Sequence, residues 1–348
     1  MIWNIKPKPD FARIQTVLKR GVPDRVPFYE LFSDIEQQVL AAIGKLPSNL
    51  QSDAQHYKFK CHVEYMFNLG YDYINIGRNW DFPKTRRDGT QISDGERKFV
   101  TSIVHEISNR EDFEKYQWPD IDNLDYSRSE DVKTIMPDGM KVIALCAGIL
   151  ENVMLLLGHE GISYMLFDDA DLVSDTFEKV ADCIIRYYDR VAAFDSVGAL
   201  SLSDDMGFKT QTLLPPDIYR KYLFPCYKKL VNVIHSHGKL AILHSCGKIN
   251  NIMDDLIDCG WDAKHSFEDE IMPVWEAKEK YGNRIALLGG FDMDKISTMT
   301  PQQGRIHTKT LLEKCSINGG WAVGTGNSVA NYVPVENFLA MLDEAYHY

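Results

Sequence analysis

The chain has 348 residues, 45 % of them hydrophobic and 25 % charged, with a formal net charge of −12. This is the composition of an ordinary globular protein with enough apolar residues for one large core. The acidic balance excludes a nucleic-acid-binding face, and no run approaches the ~18 apolar residues of a membrane span.

The seven cysteines (61, 146, 183, 226, 246, 259 and 315) are odd in number and widely spaced. That pattern predicts free thiols in a reducing compartment rather than a disulfide framework. The opening stretch MIWNIKPKPDFARIQ has no apolar signal core, so a cytoplasmic location is expected.

Taken in chain order, short β-rich runs alternate with amphipathic stretches. The strand-like runs are Val26 to Tyr29, Tyr71 to Ile76, Lys141 to Cys146, Val197 to Leu202, Leu240 to His244, Asp262 to Ser266, Arg284 to Leu288 and Gly320 to Val323. The helical stretches include Leu172 to Phe194, Asp217 to His237, Lys248 to Cys259 and Gln302 to Ile317. About eight βα units predict an α/β fold, a (β/α)8 TIM barrel of about 250 residues plus insertions. The glycine fingerprint of a dinucleotide-binding open sheet is absent. Residues 81–138 break the alternation. They hold a hairpin signal at Asp88-Gly89-Thr90 followed by Lys98 to Ile107, and read as a capping insertion after the second strand of a single domain spanning 1–348.

Barrel chemistry sits at the C-terminal ends of the strands. Those ends read Glu30; Asn75 to Arg78; Ala147-Gly148 with Glu151-Asn152; Ser203-Asp204-Asp205; His244-Ser245-Cys246-Gly247; His265 to Glu268; Gly289 to Asp292; and Gly324 to Asn327. Positions i and i+2 of a strand point to one side, so the imidazole of His244 and the thiol of Cys246 can converge on one ion. Zinc accepts both donors and needs a third protein ligand for a catalytic site. Asp204, Asp205 and Glu268 are the candidates for that place, and also for acid/base work. The pair Asp204-Asp205 has a structural reading too, as helix caps or as a partner of Lys209. Asp292 reads equally as a cap of the next helix. Glu30, Arg78, Asn152, His265 and Asp292 complete the rim as expected substrate contacts.

The segments Ser203 to Gly207, Leu214 to Tyr222 with Pro225, His237-Gly238-Lys239, His244 to Gly247 and Leu288 to Asp292 together resemble the uroporphyrinogen decarboxylase superfamily. Asp24-Arg25-Val26-Pro27 is similar to the start of many members. The resemblance implies a (β/α)8 barrel. Decarboxylases proper carry an arginine-bearing RQAGR motif, whereas Phe28-Tyr29-Glu30-Leu31-Phe32 stands here. The chain is closer to the corrinoid-dependent methyltransferase branch, the methylcobamide:coenzyme M methyltransferase type. That resemblance implies zinc on His244 and Cys246, and a methylated corrinoid carried by a partner corrinoid protein. The implied substrate is a small thiol, methoxy or methylamine compound. The branch places a second cysteine ligand after the last strand, where this chain reads Gly324-Thr325-Gly326-Asn327-Ser328. A decarboxylase-like lyase and a non-catalytic corrinoid- or metal-binding member are the alternatives.

Overall fold

A computed structural model describes residues 3–47, 54–84, 86–87, 102–103, 105–127 and 131–348. The strands are β1 (Tyr73–Gly77), β2 (Arg86–Arg87), β3 (Ser102–Ile103), β4 (Lys141–Ala147), β5 (Val197–Ser203), β6 (Leu240–His244), β7 (Ala263–His265), β8 (Ala286–Leu288) and β9 (Trp321–Ala322). Seven of them form one parallel sheet in the order β1-β4-β5-β6-β7-β8-β9, so each βα unit lays its strand beside the previous one. The strands are buried along nearly their whole length, as a parallel sheet covered by helices requires. This is the expected α/β barrel architecture.

The helices follow the amphipathic stretches. Ala170–Ala192 and Pro301–Cys315 start slightly earlier than predicted. The stretch after Pro215 opens with a turn at Pro216–Ile218, widens to a π-helical turn at Tyr219–Leu223 and continues as Phe224–Ser236. The widening lies against Pro225, which has no N–H to give to the helical ladder. Lys248 to Cys259 contracts to Met253–Asp258, and a final helix, Val335–Tyr346, was not foreseen. Among the described residues no helix is long and apolar enough to cross a membrane.

Between β1 and β4 the chain carries the β2–β3 antiparallel pair, a helix at Arg110–Lys115 and two short 3-10 turns. The expected hairpin turn, Asp88-Gly89-Thr90, lies outside the described residues, as does half of Lys98 to Ile107.

The first predicted strand departs most from expectation. Val26 to Tyr29 forms only a parallel bridge, Phe28 to Val323, with Tyr29 N donating to Val323 O (2.8 Å) and Val323 N to Pro27 O (3.0 Å). Pro27 cannot donate to a ladder. On the other side, towards β1, side chains bind this stretch. The Tyr73 hydroxyl accepts from Glu30 N (2.7 Å) and donates to Glu30 O (2.8 Å), and Asn75 Nδ2 donates to the carbonyls of Glu30 (3.0 Å) and Leu31 (2.7 Å). Below, at the N-terminal ends of the strands, buried Asp72 binds Arg13, Arg25 and the backbone N–H of Asp10. The Asp24-Arg25 pair of the sequence motif therefore anchors the N-terminal segment: Asp24 pairs with the same Arg13 (2.7 Å).

The Glu30 side chain completes this closure. It is buried, with Oε1 accepting from Thr325 N (2.8 Å) and Oε2 bound to the Thr325 hydroxyl. Burial raises its pKa to about 8, against the two Thr325 hydrogen bonds, which lower it. Between the ordinary 4.5 and 8 the folded chain holds a proton that the unfolded chain has released. The carboxyl's contribution to stability is therefore whole below pH 4.5 and falls as pH rises through 8. Glu30→Gln, which keeps a donor for Thr325 Oγ1, is expected to lie within ~1 kcal/mol of wild type at pH 5. Its stability relative to wild type should then rise towards pH 8.5. Urea unfolding at the two pH values checks this; a constant difference would acquit Glu30 as a source of pH dependence.

Candidate metal centre and active-site cavity

β6 ends at His244, and the chain leaves the strand with Cys246 still on the same side. Cys246 Sγ lies 3.4 Å from His244 Nε2. Asp205, just past the end of β5, brings Oδ1 to 3.7 Å from the same nitrogen. One donor atom from each of Asp205, His244 and Cys246 falls within 4.8 Å of the others. For bonds of about 2.0–2.3 Å, the edges of a tetrahedral zinc site are about 3.3–3.6 Å. The two spacings from His244 Nε2 therefore approach the edges of a site with one oxygen, one nitrogen and one sulfur donor.

The backbone holds this arrangement. Cys246 N donates to Asp205 Oδ1 (2.7 Å), tying the two loops together. Gly247 has φ +81, and a Cβ there would lie 2.1 Å from Gly207 O, so the turn after Cys246 needs glycine. Asn327 Nδ2 donates to Cys246 Sγ (3.2 Å), and Ser266 Oγ lies 3.8 Å from it. Behind His244, on the next strand and in register with it, stands His265, with the two Nδ1 atoms 2.8 Å apart.

Burial lowers the pKa of His244 well below the usual imidazole range, and that of His265 to about 3. Both rings are neutral at physiological pH. Burial, aided by the Asp205 charge, pushes the Cys246 thiol up to about 12. Lys264, enclosed beside them with its ammonium over the Phe267 ring (4.2 Å), is lowered to about 8 by burial.

Adjacent Asp204 and Asp205 face different tasks. Asp204 is fully buried and accepts from Leu150 N (2.9 Å), Glu151 N (2.9 Å) and the Tyr227 hydroxyl (2.7 Å). A Cβ on Gly148 would meet it at 2.0 Å. It caps the helix Ile149–Leu157. Donors thus occupy both Asp204 oxygens in this capping arrangement. Asp205, its side chain 40 % exposed, faces the solvent side.

Asp205 also borders a cavity of about 790 Å³, whose wall includes Arg78, Lys84, Glu151, Asn152, His159 and Phe208. Arg78 pairs with Asp81 (2.5 Å) and stacks over Trp80. Lys84 bridges Asp81 (3.3 Å) and Asn152 Oδ1 (3.2 Å). Burial, then the charges of Asp204 and Asp205, raise Glu151 to about 8.

The remaining predicted residues lie elsewhere. Glu268 is outside the donor cluster and faces a second cavity of about 600 Å³ that Asn327, Asp292 and Lys295 also line. Asp292 caps the helix Met293–Thr298 through Asp294 N (2.9 Å) and Lys295 N (3.2 Å), and accepts from Asp269 N (2.9 Å). Glu30 is sealed against Thr325, and His265 is fully buried behind His244, so neither faces the first cavity.

Residues 89–348 match the uroporphyrinogen decarboxylase (URO-D) family. The chain belongs to that family. Similar proteins include the methylated-thiol–coenzyme M methyltransferase of Methanosarcina mazei, 25 % identical over 205 residues, which are 58 % of this chain and 52 % of that protein. Another is the methylcobamide:CoM methyltransferase MtaA of Methanosarcina barkeri, 32 % identical over 138 residues, 38 % of each chain. The matches thus span about half or less of the length of these relatives. A solved methyltransferase from Methanosarcina mazei has the same fold, with a TM-score of 0.72 over 97 % of this chain and 98 % of its own, at 17 % identity.

In this URO-D chain the sequence reading placed Glu151 and Asn327 at the strand ends without giving them a role, and it missed Lys84 and Lys264. Glu151 directly precedes Asn152 and was equally visible. Lys264 was signalled by a lysine inside an apolar strand. Asn327 occupies the turn whose departure from cysteine drew notice. Lys84 had no local signal, since its contact with Asn152 Oδ1 (3.2 Å) joins residues far apart in the chain.

Asp204→Ala would leave two backbone N–H groups without their acceptor and the buried Tyr227 hydroxyl with only Met206 Sδ (3.8 Å), and is expected to destabilise the chain by ~3 kcal/mol. Asp205→Ala should cost ~1 kcal/mol or less, because it faces solvent and gives up a single backbone contact. Parallel urea titrations of the two variants would refute this assignment if their order were reversed.

Proposed function

We propose that this chain is a corrinoid-dependent methyltransferase that moves a methyl group between a corrinoid on a partner protein and a small molecule bound in the 790 Å³ cavity. Its metal ligands on this reading are Asp205, His244 and Cys246. The observation that carries it is the convergence of those three donors beside the cavity. Family membership and the methyltransferase relatives support it.

Zinc at such a site supplies Lewis-acid activation, lowering the pKa of a substrate thiol or hydroxyl into the neutral range. The corrinoid's share is to give or take the methyl group. The chain's own residues bind and orient. Asp205 is the ligand that also borders the cavity, so it sets where the substrate's reacting atom lies. Asn152, held by Lys84, and Arg78 offer polar contacts to the substrate's other end. Glu151 keeps its carboxyl proton at pH 7 and presents a donor in the wall. A carboxylate in place of a second thiolate leaves more positive charge on the metal, which favours an oxygen-bearing substrate over a thiol. The decarboxylase alternative calls for cations fixed on a substrate with many carboxylates. Arg78 and Lys84 are instead both engaged by Asp81.

Protein purified without chelator is expected to carry about one zinc per chain. Asp205→Ala, His244→Ala and Cys246→Ala should lose it, whereas Glu268→Ala retains it. Elemental analysis of the five proteins checks this, and a metal-free wild type would remove the reading. Metal uptake should also release about one proton, since the Cys246 thiol is protonated until about 12 while His244 is already neutral. Apparent affinity should then rise about tenfold per pH unit between pH 6 and 8, as followed with a chromophoric chelator.

A further inference from the structure

The contact between His244 and His265 lies outside the cavity and has no part in the reading above. Its atoms admit one arrangement of protons. His265 Nε2 lies 3.3 Å from Thr325 O, and a carbonyl only accepts, so that nitrogen carries the hydrogen. A neutral imidazole has a single N–H, which leaves His265 Nδ1 as a bare acceptor. His244 Nδ1 stands 2.8 Å from it, so His244 must donate there. His244 Nε2 is then the free lone pair. It is this atom that lies 3.4 Å from Cys246 Sγ and 3.7 Å from Asp205 Oδ1.

We propose that His265 is a positioning residue, fixing His244 as the Nδ1–H tautomer with its Nε2 lone pair aimed between Asp205 and Cys246. Three features hold His265 in place. β6 and β7 pair His244 with His265 in register, so both rings leave the sheet on the same side. Thr325 O is fixed by Gly290 N (3.1 Å), and the Thr325 residue by the Glu30 carboxyl. The ring of Tyr29 packs edge-on against His265, with centroids 5.2 Å apart. A ligating histidine usually gives its second N–H to a carboxylate, a carbonyl or water. Here the acceptor is a second imidazole, which passes the polarity on to a carbonyl.

The tautomer is testable without metal, and the consequence for metal affinity rests on the site proposed above. In 15N-histidine-labelled apoprotein, long-range proton–nitrogen correlation is expected to show His244 as the Nδ1–H form. His265→Asn places a carboxamide oxygen where Nδ1 was and should preserve that form. His265→Phe should release it to a mixture or to Nε2–H. His265→Gln, whose polar end reaches the Nε2 position instead, should do the same and serves should the phenylalanine variant fail to fold. Zinc affinity, by competition with a chromophoric chelator, should fall 10- to 100-fold in the Phe and Gln variants and stay within about threefold in Asn. An Nε2–H His244 in wild type overturns the proposal, as do Phe and Gln variants that keep both the wild-type tautomer and affinity. A wild type with the Nδ1–H form but no zinc affinity would sink the metal reading and leave the relay standing.

Discussion

A single buried carboxyl, Glu30, joins the first βα unit to the last. Pro27, inside the first strand, denies it a full ladder, so the barrel closes there by the Phe28–Val323 bridge, by a second bridge from Ser33 to Val329, and by side chains. Enclosing a carboxyl is costly unless its oxygens find donors. Thr325 partners both, through its amide N–H and its hydroxyl. The constraint extends beyond the seam. The same turn presents the Thr325 carbonyl to His265 and carries Asn327, whose amide donates to Cys246 Sγ. Closure of the fold and the surroundings of the donor cluster thus share the Glu30–Thr325 pairing, alongside the two backbone bridges of the seam.

Two neighbouring aspartates show how a strand end divides labour. Successive residues leave an extended chain on opposite sides. Asp204 turns inward and caps the helix that follows β4, and Asp205 turns outward to the cavity and the donor cluster. Burial and then both of their charges raise the pKa of Glu151, which leaves a protonated carboxyl in the cavity wall. The donor set that results is one carboxylate, one imidazole and one thiol. In the turn after β9, where the methyltransferase branch is expected to offer a second sulfur, Asn327 donates to the sulfur already present.

Much of the fold was legible because its signals are local. Apolar runs of strand length, separated by amphipathic helices, specify a parallel sheet, and the β6 run from Leu240 to His244 coincides with the observed strand. The polar strand ends were legible for the same reason, and His244 and Cys246 could be paired from their i, i+2 spacing. The weak first strand was harder to see. Val26 to Tyr29 has the right residues, but its pairing depends on Pro27 and on the hydroxyl of Tyr73, distant in the chain.

By itself, then, the sequence determined the βα order, the rim on which polar residues gather, and two of the three clustered donors, all of which follow from periodicity. Packing between distant segments places Asp205, rather than Asp204 or Glu268, beside them. It also turned His265 and Glu30 from expected substrate contacts into buried supports, and brought Lys84 to Asn152. The physical reason is that side-chain direction at a loop, and the partner it meets across a barrel, depend on packing between segments far apart in the chain. Local spacing carries no record of that packing.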